Sequence, residues 1–220
     1  MAAIDRIASG AARDPGRDCL LCPRLAEFRK ANRRLQAAWH NAPVPAFGPL
    51  SARLLIVGLA PGLRGANRTG RPFTGDYAGQ LLYPTLLKFG LARGSYRESP
   101  DDGLELIDTR ISNAVRCVPP QNKPETGEIR SCNRFLVHEI AAMTELKVIL
   151  ALGSIAHNAV LSALGHKRAA WPFAHGARHA LPDGPLLADS YHCSRLNTNT
   201  GRLTVKMFED VVSRLKKRIE

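Results

Sequence analysis

Apolar and polar positions recur at two different periods along this chain, and the switches between them outline its elements. Leu25, Phe28, Leu35 and Trp39 fall at helical spacing while Arg29, Lys30, Arg33 and Arg34 fill the other side, which predicts a surface helix. The Pro-rich NAPVPAFGPL that follows cannot continue it and reads as an extended connection. RLLIVGL, a short apolar run closing at Gly58, has the pattern of a strand buried on both faces. Residues 78–89 predict a helix that Pro84 should break early or kink. A second strand is expected over 109–115. A helix over 128–143 places Ile129, Cys132, Leu136, Ile140 and Met143 on one face. KVILALG is a third strand, Ser154 is expected to cap a helix reaching Leu164, and PLLADSYH supplies a fourth strand. The last helix carries Phe208, Val211, Val212, Leu215 and Ile219 on one stripe and ends in SRLKKRIE.

Strands that alternate with helices predict an α/β fold, a three-layer sandwich with a central four-stranded parallel sheet flanked by helices. A chain of 220 residues suits one such domain, expected over 18–220 and preceded by a flexible polar segment over 1–17. Ligands of such folds gather at the carboxyl ends of the strands. Three unusual loops fall there: GLAPG after the first strand, SNAVRC in the second and HCSRLNTNTG after the fourth.

Composition adds a charge and a set of thiols. The net charge of +12 favours an anionic partner, for which nucleic acid is the commonest choice, with Lys and Arg on phosphates. No apolar run is long enough for a membrane span, and the first residues lack the apolar stretch of a signal peptide, so a cytoplasmic protein is expected. In that reducing compartment the cysteines are not read as disulfides. Cys19 and Cys22 form a CxxC, Cys117 and Cys132 lie far downstream, and Cys193 stands alone. Four thiols in two distant segments suit either zinc or an iron–sulfur cluster, and spacing leaves that choice open.

The first loop is neither a Walker loop nor a dinucleotide fingerprint. From Gly58, Ala60 and Gly62 it runs on through Arg68 and Arg71 to Phe73 and Asp76, a length that in a compact domain points to function. Phe73 could stack on a flat base or plug the core. Asp76 could act as a base or cap the helix after it.

Taken together, GLAPGLRGANRTGRPFTGD, SNAVRCVPPQNKP and SYHCSRLNTNTGRLT resemble three motifs of the uracil-DNA glycosylase superfamily, over nearly the whole chain. Ala60 stands where the family-four branch has an acidic residue, and HCS where it has HPS, so the resemblance is to the family-five branch. It implies a [4Fe–4S] cluster on Cys19, Cys22, Cys117 and Cys132, structural in role, with Cys193 outside it. The enzyme it implies is monofunctional, excising uracil and other deaminated or damaged bases, hypoxanthine and modified cytosines among them, and leaving an abasic site. Asn113 would read the pyrimidine edge, His192 would bond its O2, and Gly58, Ala60, Gly62 and Phe73 would complete the base pocket. With Ala60 unable to orient water, Asp76 takes the catalytic role. Leu196 would be the wedge that fills the gap left by a flipped base. Arg68, Arg71, Ser194, Arg195, Asn197, Thr198 and Arg202 would contact the DNA. Gly65, in place of an acid found in family four, should leave spare room and broad specificity. The expected partner is double-stranded DNA, with single strands left open, bound by a monomer at the nucleoid. Two other classes compete: a zinc-stabilised nucleic-acid-binding module without catalysis, and a nucleotide- or sugar-phosphate-handling enzyme. Neither accounts for all three loops.

Overall fold

The computed structural model describes residues 14–182 and 184–220. The segment expected to be flexible lies mostly outside them, but Asp14 is described and pairs with Arg116 at 2.9 Å. In chain order the elements are α1 (Pro23–Leu35), β1 (Leu54–Gly58), α2 (Ala66–Thr69), α3 (Tyr77–Lys88), β2 (Ala92–Arg93), β3 (Glu105–Leu106) and β4 (Thr109–Asn113). Then follow α4 (Thr126–Ala142), β5 (Val148–Leu152), α5 (Ser154–Ala163), β6 (Arg178–Ala180), β7 (Leu186–Ser190), α6 (Arg195–Asn199) and α7 (Val205–Ile219).

The sheet runs β4-β1-β5-β7-β6. Its first four strands are parallel, as expected, and β6 adds a fifth that is antiparallel to β7. The four-stranded expectation missed β6 because its three residues carry no apolar alternation. A separate antiparallel pair, β2 with β3, was likewise too short to show a pattern.

Side chains alternate across the strands and feed two cores. Leu54, Ile56, Leu150 and Leu152 pack against α3 and α7, while Leu55, Val57, Ile149 and Ala151 pack against α4 and α5. A buried polar network ties α4 to the sheet: Glu139 accepts from Arg110 at 2.6 Å, Ser112 at 2.6 Å and Arg116 at 2.5 Å. Four acceptor sites on one carboxylate can satisfy all three donors, which is what makes such burial tolerable.

Three local expectations are corrected. Helix α3 runs through Pro84 without a break, its core face held by Leu81, Leu82, Tyr83 and Leu86. Ser154 is the first helical residue of α5, and the cap position is Gly153, whose φ of 94° a serine would resist. Helix α1 is also rotated from its expected face: Arg29 and Asn32 are buried and Leu35 is exposed. Arg29 is drawn inwards because its guanidinium donates to Cys117 Sγ and to the Cys19 carbonyl.

Candidate active site

Strand β1 ends at Gly58, in register with Asn113 at the end of β4. A Cβ on Gly58 would lie 2.5 Å from both Asn113 Oδ1 and Phe73 Cζ, so only glycine lets the amide and the ring close onto the strand end. Phe73 holds φ at +53° and turns its ring towards His192, with centroids 5.9 Å apart. Together Ala60, Pro61, Gly62, Ala66, Phe73, Asp76, Ala78, Asn113 and His192 line one small crevice at the strand ends.

The polar groups of this crevice are unusually free. Among the described residues the side chains of Asn113 and His192 make no hydrogen bond to the protein, although Asn113 is buried. Burial alone holds the His192 imidazole down to about 4, so near neutral pH the ring is uncharged and can donate only one hydrogen bond. Asp76 serves both roles weighed for it. Oδ1 caps α3 by accepting from Gly79 N at 3.3 Å, and the carboxylate also lines the crevice. Burial raises its pKa, against the lowering effect of the Gly79 and Ala78 backbone bonds. Gly65 is what admits it, since a Cβ there would lie 2.5 Å from Asp76 Oδ2. The space beside Gly65 is therefore filled by Asp76, which corrects its reading as spare room.

The second motif delivers His192 and then α6. Ser194 caps that helix by accepting from Asn197 N, and Asn197 Nδ2 donates to the His192 carbonyl at 2.9 Å. Both side chains thus brace the loop. Leu196 is 72% exposed at its tip, beside the exposed Arg195. Thr198 donates to the Ser194 and Arg195 carbonyls, and Arg202 lies over the Tyr191 ring at 4.5 Å. Arg68 is exposed on α2. Arg71, expected on DNA, is instead buried and bonded to Asp102.

Cys19, Cys22, Cys117 and Cys132 converge on one small cavity with Pro15, Leu25, Arg29, Val115 and Phe135. Cys117 Sγ accepts from Arg29 at 3.5 Å, and Cys132 Sγ from Arg116 N at 3.3 Å. Arg29 Nε is buried there with no hydrogen-bond partner among the described residues. Burial pushes Cys22 up to about 11 and Cys117 up to about 12, and raises Cys132. Such thiols stay protonated unless a cation draws the protons off. Zn–S bonds of about 2.3 Å would set sulfurs roughly 3.8 Å apart. Among the described residues no three of these thiols lie within 4.8 Å of one another, and all four line one cavity, where four thiolates could hold a metal ion or an iron–sulfur cluster. Cys193 is fully buried elsewhere, in the core beside α3 and α7.

Sequence reasoning missed the donors that do lie that close: His157, His179 and Asp189. His157 Nδ1 is 2.7 Å from Asp189 Oδ1 and Nε2 is 2.8 Å from the Trp171 carbonyl. Both nitrogens face acceptors, which only a doubly protonated ring satisfies. Burial opposes that charge, but the Asp189 bond and charge outweigh it and the pKa is raised. The pair explains the segment at Trp171, for which the sequence suggested no role.

A sequence profile of the uracil DNA glycosylase superfamily matches residues 45–216. The chain belongs to this superfamily. Its members include a type-5 uracil-DNA glycosylase of Thermus thermophilus, 48% identical over 90% of this chain and 93% of the relative. A type-5 uracil-DNA glycosylase of Pyrobaculum aerophilum is 42% identical over 90% of this chain and 87% of its own length. A type-4 uracil-DNA glycosylase of the same organism is 34% identical over only 69% of this chain and 63% of its own length. The family-five resemblance is thus borne out. No helix among the described residues is long and apolar enough to cross a membrane.

Proposed function

We propose that this superfamily member is a uracil-DNA glycosylase that hydrolyses the N-glycosidic bond of uracil in DNA. One observation carries the reading. Asn113 and His192, whose side chains make no hydrogen bond among the described residues, face the same crevice as the Phe73 ring and the Asp76 carboxylate. An amide offers both the donor and the acceptor that a pyrimidine edge requires. The neutral His192 donates to the base oxygen, where charge develops as the C1′–N1 bond breaks and its electron pair leaves with N1. Asp76 orients a water, whose oxygen bonds to C1′ while the carboxylate takes its proton. That proton then passes to the base, leaving an abasic site.

Leu196 fills the stack behind the extruded nucleotide, with Arg195, Arg68 and Arg202 on phosphates. Small lining residues (Ala60, Gly62, Ala66) support a broader range that includes hypoxanthine and modified cytosines. Double-stranded DNA is the expected substrate, and the enzyme acts as a monomer at the nucleoid. Cys19, Cys22, Cys117 and Cys132 would hold a [4Fe–4S] cluster that ties residues 14–35 to β4 and α4, and Arg29 would offset its negative charge. Excision from labelled duplexes carrying one U, hypoxanthine or T tests the whole reading. Cleavage at U and hypoxanthine but not T is expected. Cleavage at U alone removes the broad range, and none at U removes the function.

A further inference from the structure

Phe73 stands in a left-handed conformation that a bulky residue adopts only when its surroundings impose it. Those surroundings are specific. Arg71, two residues earlier, sends both terminal nitrogens to Asp102 at 2.8 Å each, and its Nε donates to Thr74 Oγ1 at 2.7 Å. The two side chains are 5% and 0% exposed. Asp102 also accepts from Arg97 N at 2.9 Å and Leu104 N at 3.1 Å, so its carboxylate is fully engaged. The guanidinium lies among the rings of Phe47, Tyr83 and Tyr96, at 5.3, 5.4 and 5.9 Å. Two of those rings then hold the backbone beside them: Tyr83 donates to the Pro72 carbonyl at 2.6 Å and Tyr96 to the Phe73 carbonyl at 3.2 Å. A Cβ on Gly79 would strike both the Phe73 carbonyl and the Tyr96 hydroxyl, which closes the last side of the clamp.

We propose that Asp102, acting through Arg71 and Tyr96, is a positioning residue that fixes the Phe73 ring against which the base lies. The proposal rests on the crevice being the base pocket. Neither Asp102 nor Arg71 touches that crevice. The segment between β2 and β3 thereby governs substrate binding from behind the ring.

A double-mutant cycle tests it, with 4-fluorophenylalanine placed at position 73 as a reporter. Asp102→Asn should shift and broaden the ¹⁹F resonance and lower kcat/KM for uracil excision roughly tenfold, mostly through KM. Tyr96→Phe, which removes one hydroxyl and should fold in any case, should do the same to a smaller extent. Both losses should vanish in a Phe73→Ala background, where a general loss of stability would persist. An unmoved resonance in both variants, or losses undiminished in Phe73→Ala, overturns the proposal. Should Asp102→Asn fail to fold, Tyr96→Phe decides alone. A wild-type protein that excises no uracil strikes the function instead, and the resonance still decides the positioning.

Discussion

Asp76 and His192 share a crevice, yet burial moves them in opposite directions: the carboxyl up, the imidazole down to about 4. Both shifts disfavour charge, and they predict which group shapes the pH profile. A base must be ionised to take a proton, so excision should fall as pH drops through the raised Asp76 value. His192 stays neutral until about 4 and should leave that limb alone. Asp76→Ala is expected to lose at least about tenfold in single-turnover rate, and His192→Asn to lower the rate without moving the acid limb. An unchanged rate in Asp76→Ala would reduce that residue to a helix cap. Asn113, His192 and Asp76 were legible because each closes a motif at a strand end or helix start. Arg71 was not. An arginine in a Gly-rich loop has the look of a phosphate contact, and its partner lies in a stretch, residues 94–104, without periodicity.

At the scale of elements, α6 and the α5–β7 contact make separate predictions. Leu196 stands in the first turn of a five-residue helix capped by Ser194 and is exposed beside Arg195. Leu196→Ala should slow excision from duplex DNA on the order of tenfold, the effect of about 1.5 kcal/mol of lost apolar contact, and leave single strands unaffected. The His157–Asp189 pair joins α5 to β7 immediately before the second motif. Because its pKa is raised, the stabilisation from protonated His157 is complete below the unfolded value of about 6.5 and fades as pH climbs through the folded one. His157→Gln should therefore cost about 3 kcal/mol at pH 6, with a smaller deficit at pH 9, read from urea midpoints. A constant deficit would mean the ring is uncharged. Strands β1 and β5 were legible as apolar runs, whereas β6 was not, since pairing with β7 and not its own sequence makes it a strand.

Over the whole molecule, the +12 charge and the thiols set the remaining behaviour. Binding to DNA should weaken steeply with salt. Cys117→Ser should remove absorbance near 400 nm and loosen residues 14–35, measured by proteolysis, if the cluster is the tie proposed for it. Wild-type resistance in the variant would relegate the thiols to packing. The segments that carry these thiols were legible as a spaced set, but the inward turn of Arg29 towards them was not, because helical periodicity reads a basic face as solvated. Ala60 packs against the small core of Leu25, Val115, Cys117 and Cys132 and also walls the crevice. Damage to that core would reach the crevice through a single methyl group, so a copy whose thiols are oxidised should lose excision.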